Sequence, residues 1–210
     1  MSSTPDLPPL FPLDRAELAR RLARPVPPPA PEDRHLFGLP HATKATDAAV
    51  MLPLVHRPDA LSVLFTQRTA HLADHAGQIS FPGGRVEPED ASREETALRE
   101  TEEEIGVARS CIEILGRLPL YELPTGFRIT PVVGWMEAPL ELKPDPFEVA
   151  AVFEVPLMHF LDPSHYVRRE YHFRGRHRHY MAVPYEGRYI WGATAGMLYT
   201  FCRAVLATDA

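Results

Sequence analysis

The chain has 210 residues, of which 45% are hydrophobic and 24% charged, with a formal net charge of −6. That is the composition of one substantial globular domain with some appended structure. An acidic balance argues against a general nucleic-acid binder, and no apolar run reaches the roughly 18–20 residues of a membrane-spanning helix. The first residues, MSSTPDLPPL, have no basic stretch followed by an apolar core, so no secretory signal is expected. Cys111 and Cys202 are too few for a disulfide framework and point to a reducing, cytoplasmic setting.

Residues 1–31 hold nine of the 23 prolines and read as a Pro-rich extension ahead of a catalytic body at 32–210. Within it, Leu18, Leu22 and nearby alanines predict a short helix from about Asp14 to Ala23. Val26 to Pro31 then reads as a stiff linker. Ala49–Val55 is a strand whose Pro53 favours an edge or an end. Leu61–Arg68 is a second strand, joined through the turn His56-Arg57-Pro58-Asp59. A short strand over Gln78–Phe81 leads into Pro82-Gly83-Gly84.

Ser92–Ile105 is a predicted helix, with Ser92 and Glu95 as a capping box and Gly106 as its stop. Strands are expected at 112–122, 128–136 and 149–155. A hairpin follows around Gly175, from Tyr166–Phe173 and Arg178–Val183, and Ala193–Ala207 closes the chain as an amphipathic helix. Trp191 and Met197 read as core. The mixture of strands and helices defines an α/β (α+β) domain.

The helix over 92–105 carries a dense run of carboxylates. Ala97, Leu98, Thr101 and Ile105 fall on the core side at 100° per residue, while Glu102 points to solvent. Glu100, Glu103 and Glu104 stand at i, i+3 and i+4 and share one face, where they repel unless a cation sits among them. Arg99, four residues before Glu103, can orient it. Hard oxygen donors select Mg²⁺ or Mn²⁺, and Mg²⁺ keeps waters and substrate phosphates as further ligands. A solvated acidic face is the plainer explanation of such a cluster. The Gly83-Gly84 pair tips the balance, because it permits close backbone approach and offers a carbonyl, that of Gly84, as a further ligand.

This stretch resembles the signature of the Nudix hydrolase family: Gly, five residues, Glu, seven residues, then Arg-Glu-apolar-any-Glu-Glu-any-Gly-apolar. Arg99 to Val107 matches its second half, with Thr101 at the apolar position. The first half departs. Six residues after Gly84 stands Asp90 rather than Glu, and Arg99 lies one residue further on, so Glu87, Glu89 and Asp90 all compete for the first acidic position. The longer loop is similar to that of the family's coenzyme A diphosphatases. Their upstream motif also runs without gaps through Leu64–Gly84, with Thr69 in place of Ser and Ala73 in place of Arg. Glu148–Leu157 and Ile190–Ala195 look like the same subgroup.

The resemblance implies a Nudix-type α/β/α sandwich with a mixed central sheet and the acidic helix at about 92–105. It implies a metal-dependent diphosphatase acting on coenzyme A or its acyl derivatives. Glu100, Glu103 and Glu104 would ligate Mg²⁺ or Mn²⁺ with the Gly84 carbonyl. Glu100 or Glu148 would be the general base, Glu148 being alternatively a further metal ligand or a solvent-facing residue at a strand start. Arg68, His75 and Gly83 are the substrate-binding candidates, with Arg68 read as a phosphate contact or alternatively as half of an ordinary surface pair. His75 alternatively stabilises its own loop, and the basic hairpin Arg168–His179 either captures a 3′-phosphate or is an exposed charged face. The expected partner is a small diphosphate substrate, with no nucleic acid and no membrane, and the family habit is a homodimer. Two alternatives stand beside this reading: a Nudix hydrolase for another conjugate such as ADP-ribose or a dinucleotide, and a non-catalytic Nudix-fold binding module.

Overall fold

The structure is a computed structural model that describes residues 14–26, 45–71, 76–123, 125–173 and 176–207, with the backbone alone at 171–173 and 176–178. His75, most of the predicted linker, and Gly175 lie outside the described residues.

A mixed sheet forms the centre. Its strands are β1 (Thr46–Arg57), β2 (Ala60–Arg68), β3 (Ile79–Ser80), β4 (Gly83–Arg85), β5 (Ile112–Arg117), β6 (Tyr121–Glu122), β7 (Phe127–Glu137) and β8 (Val149–Pro156). The central path is β3-β2-β1-β7-β5, with β4 on β1, β6 on β7 and β8 on β2. Among the described residues, only β1 and β7 run parallel and every other pair is antiparallel. A second sheet joins β9 (Val167–Phe173), β10 (Arg176–Tyr185) and β11 (Arg188–Trp191) in the order β11-β10-β9.

Period-two alternation along β1 divides the core between two faces. Ala49, Met51 and Val55 join Leu64, Val132 and Met136 beneath Ala97 and Ile105 of α2 (Arg93–Ile105). Leu52 and Leu54 join Phe65, Val133 and Trp135 on the other face. There they meet α1 (Arg15–Leu22), α3 (Leu157–Leu161) and α4 (Ala193–Leu206). The result is the expected α/β/α layering around a mixed sheet. In α1, Asp14 caps the first turn by accepting from the Glu17 amide. Leu18 and Leu22 enter the core, and Arg21 donates to the Val205 carbonyl at the end of α4.

Three sequence expectations need correction. Pro53 lies in a central strand, not at an edge. On the side away from β7, β1 pairs with β4 up to Val50 and with β2 from Leu54, so Pro53 falls where the ladder changes partner and a missing N–H is tolerated. The strand expected over 112–122 is two pieces, because residues 118–120 leave the ladder between β5 and β6. Trp191 is not core: it is 38% exposed, whereas Met197 is buried.

Candidate active site

The glycine turn is fixed first. Met51 donates its amide to the Pro82 carbonyl, and β4 lies antiparallel on Ala48–Val50. A Cβ on Gly83 would strike the Ala49 carbonyl and Val50, and its φ of +154° also suits glycine. A Cβ on Gly84 would strike the whole carboxyl group of Glu100. Gly84 is therefore the space into which that carboxylate folds.

The acidic helix is held as its sequence dictates. Ser92 accepts from the Glu95 amide, and Gly106 takes the left-handed conformation at φ 74°. Thr101 is fully buried and donates to the Ala97 carbonyl at 2.6 Å, so it fills an apolar position without an unpaired hydroxyl. Glu102 is exposed and pairs with Arg109, as its outward position predicts.

Arg99 organises the carboxylates. Its Nε and Nη2 donate to Asp90 at 3.0 Å each, Nη2 also to the Arg85 carbonyl, and Nη1 to Glu100 at 2.8 Å and Glu103 at 3.1 Å. All five guanidinium N–H groups are engaged. Asp90 additionally accepts from the Glu87 amide and the Thr96 hydroxyl. The hydrogen bond from Arg99 holds its carboxyl well below the usual range. Of the three acids competing for the first motif position, Asp90 is the one that Arg99 grips.

Glu104 turns inward and is 5% exposed. The Gly83 amide faces it at a long 3.4 Å. Burial pushes its carboxyl up to about 8, with the charges of Glu100 and Glu148 adding to the effect and Gly83 and Arg68 opposing it. Burial likewise raises Glu100, against the pull of Arg99. Glu103 is different: its side chain is 58% exposed.

Glu148 comes from the loop before β8. That loop is tied to the end of α2, where Lys143 and Asp145 donate amides to the carbonyls of Ile105 and Glu104. It is tied to the end of β2 as well, because Thr69 donates its amide to Glu148 and its hydroxyl to Phe147. The Thr found where the resemblance expects Ser thus keeps the hydroxyl that anchors this loop. Among the described residues, no hydrogen bond or ion pair engages the Glu148 carboxylate.

Arg68 ends β2 at a register shift against β8, from Gln67 opposite Ala151 to Arg68 opposite Val149. Such an irregularity re-aims a side chain. Its Nε is buried without a hydrogen-bond partner among the described residues, and its charge acts on Glu104. With Gly83, Gly84 and Arg85 it lines a cleft of about 270 Å³ whose apolar wall includes Phe127 and Met197.

Glu100, Glu104 and Arg68 therefore meet the glycine turn, Glu103 is joined to them through Arg99, and Glu148 acts on Glu100 and Glu104 by its charge; His75 lies outside the described residues. Among the described residues, no three His, Cys, Asp or Glu side chains form a ready-made cation sphere. The donor set still fits a hard divalent ion in its chemistry: all the donors are oxygens, two carboxyls are disfavoured as anions by burial, and a glycine is kept clear for one of them. What the sequence reading missed is the tether through Thr69, Lys143 and Asp145, since backbone bonds leave little trace in residue type.

Comparison with known proteins agrees with this construction. The NUDIX domain family matches residues 45–174. An uncharacterised Nudix hydrolase, NudL, of Yersinia enterocolitica is 42% identical over 152 residues, covering 72% of this chain and 77% of its own. The NudL of Escherichia coli is 42% identical over 151 residues, covering 72% and 78%. The chain belongs to the Nudix hydrolase family, enzymes that act on nucleoside diphosphate derivatives and generally use divalent metal ions. Among solved structures, a Nudix hydrolase from M. smegmatis is 21% identical with a TM-score of 0.47, covering 55% of this chain and 73% of that one. A C. elegans Ap4A hydrolase is 19% identical with a TM-score of 0.45, covering 54% and 82%.

Proposed function

We propose that this enzyme hydrolyses the diphosphate bond of coenzyme A or acyl-coenzyme A, giving 3′,5′-ADP and 4′-phosphopantetheine or its acyl form, with Mg²⁺ or Mn²⁺. The observation that carries the reading is Arg68. It stands in the upstream motif that runs in register to Gly84, and its buried Nε lacks a partner among the described residues beside the glycine turn and Glu104. A diphosphate oxygen is the acceptor that such a guanidinium needs.

Glu100, Glu103 and Glu104, with the Gly84 carbonyl, are the proposed metal-holding groups. A bound divalent ion would supply charge neutralisation on the phosphates and a more acidic water. Arg99 holds Glu100 and Glu103 toward that site through Asp90. Of the two candidate bases, Glu148 is the better placed to take a proton from water. Its carboxylate has no partner among the described residues, whereas Glu100 already accepts from Arg99. Arg68, Gly83 and His75 remain the proposed substrate contacts. Attack of the water oxygen on one phosphorus breaks the bridging P–O bond, and the leaving phosphate takes the electron pair.

Ala73, which stands where the resembling subgroup has Arg, favours a second reading: another nucleoside diphosphate conjugate, such as ADP-ribose or a dinucleotide. A product analysis separates the two. Purified protein is incubated with Mg²⁺ and coenzyme A, ADP-ribose or dinucleotides, and the products are resolved by chromatography. Formation of 3′,5′-ADP supports the first reading; turnover of another diphosphate without it rejects that reading.

The proposed organisation keeps residues 1–31 as an extension on a body at 32–210. The proposed setting is the cytoplasm and the proposed assembly a homodimer. Two unbridged cysteines, one exposed and one buried, support the setting. Among the described residues no helix is long and apolar enough to cross a membrane.

A further inference from the structure

A second cavity, of about 670 Å³, opens beside the acidic site. Gln78 and Ile79 line both cavities, so the two meet at β3. Its walls carry the amide side chains of Gln67 and Gln78, and Arg188, Tyr189 and Trp191 of β11. The chain reaches β11 through a two-residue turn, Glu186-Gly187, with φ of 44° and 78°. Alternation then buries Ile190 in the core and turns Tyr189 and Trp191 outward, 43% and 38% exposed.

These outward rings are held in place. Trp191 meets Tyr180 edge to face at 5.3 Å, and the Tyr180 hydroxyl lies 3.3 Å from that of Tyr189. Arg188 is fixed with its Cζ 3.7 Å from the centroid of Phe153. An indole with an accessible surface, on a wall shared with the Gln67 side chain, whose Nε2 faces the Gly77 carbonyl at a long 3.4 Å, matches what a nucleobase presents: a π-face and a hydrogen-bonding edge.

We propose that this cavity is the nucleobase subsite, with Trp191 as the stacking platform and Gln67 facing the base edge. The diphosphate then lies across β3 at the Gly83-Gly84 turn. The proposal rests on the substrate being a nucleoside diphosphate conjugate, not on its being coenzyme A.

The test uses adenosine α,β-methylenediphosphate, which carries the base and resists cleavage. The chain has two tryptophans, and Trp135 is buried. The analogue is expected to change the tryptophan fluorescence of the wild type, while methylenediphosphonate, which lacks the base, does not. Trp191→Phe keeps a ring; it should lose that signal and bind by calorimetry within about threefold of wild type. Trp191→Ala should bind roughly tenfold or more weakly, since base–aromatic stacking is worth about 1–3 kcal/mol and about 1.4 kcal/mol is tenfold. Its KM should rise by a similar factor, with kcat within about twofold. No binding of the analogue, unchanged fluorescence at saturation, or wild-type affinity in Trp191→Ala overturns the proposal. Because these binding measurements need no turnover, a failure to cleave coenzyme A rejects the substrate reading and leaves this one standing.

Discussion

Arg99 and Asp90 face each other through two parallel hydrogen bonds of 3.0 Å, with side chains 13% and 6% exposed. This bidentate pair joins the loop after the glycine turn to the side of α2 that carries Glu100 and Glu103. It converts one extra loop residue into a definite position for Glu100 and Glu103. Asp90→Asn keeps the shape and removes the charge. It should lower stability by about 2 kcal/mol, as expected when a charged hydrogen-bond partner is lost. Urea unfolding at pH 7 reads this directly.

The same pair gives a pH signature. The folded-state carboxyl of Asp90 lies below its unfolded value of about 3.9. Its stabilisation is therefore present above that unfolded value and is lost as pH falls through the depressed folded one. The stability gap between wild type and Asp90→Asn should be constant from pH 7 to about 5 and shrink below about 4. A gap that stays constant down to pH 2 contradicts the assignment.

Glu104 behaves in the opposite sense. Its carboxyl is raised to about 8 in the folded protein. Its contribution is full below the unfolded value of about 4.3 and is lost as pH rises through the folded one. In a chelator, Glu104→Gln should therefore match wild type near pH 4 and become progressively more heat-stable than wild type toward pH 8. Binding a divalent ion at neutral pH should release a proton, because the carboxylate must be charged to coordinate. Calorimetry of Mg²⁺ binding in buffers of different ionisation enthalpy measures that proton. Equal heats in all buffers would falsify Glu104 as a ligand.

Much of this was legible because it rests on side-chain type at fixed spacing. The capped helix and its core face follow from 3.6-residue geometry. The β1–β2 hairpin and the closing helix follow from apolar pattern. What escaped depends on contacts distant in sequence. Pro53 is interior only because β4 and β2 divide the side of β1 away from β7. The choice of Asp90 over Glu87 and Glu89 needs the path of the loop toward Arg99. Trp191 reads as core by composition, but the turn at Glu186-Gly187 sets a register that turns it outward.

Arg68 offers a test free of acid–base ambiguity. Its buried Nε has no partner among the described residues, so truncation removes no hydrogen bond seen there and relieves a desolvated donor. Arg68→Ala should leave the melting temperature within a few degrees of wild type. It should lower kcat/KM by about 10–100-fold, in line with the about 1.5–3 kcal/mol of a charge-assisted hydrogen bond. Arg68→Lys should restore only part of this, since an ammonium lacks the planar fork. A large loss of stability with normal kcat/KM in the folded fraction would make Arg68 a structural residue.

In the proposed mechanism, Glu103 and Glu148 separate metal holding from proton transfer. Glu103 is half-exposed, and its bond to Arg99 is one of several that Arg99 makes. Glu103→Gln should remove most activity with the melting temperature unchanged or raised, because repulsion along the helix is relieved. Added Mg²⁺ should recover part of the rate if the residue holds the ion. Glu148→Gln should lower kcat by about 10²–10⁴-fold, the usual contribution of a general base, and Mg²⁺ should not restore it. The pH–rate profile supplies the second readout: the acidic limb of kcat should flatten in Glu148→Gln and persist in Glu103→Gln. If the limb survives in Glu148→Gln, the base is Glu100, which already lies against Gly84 and Arg99.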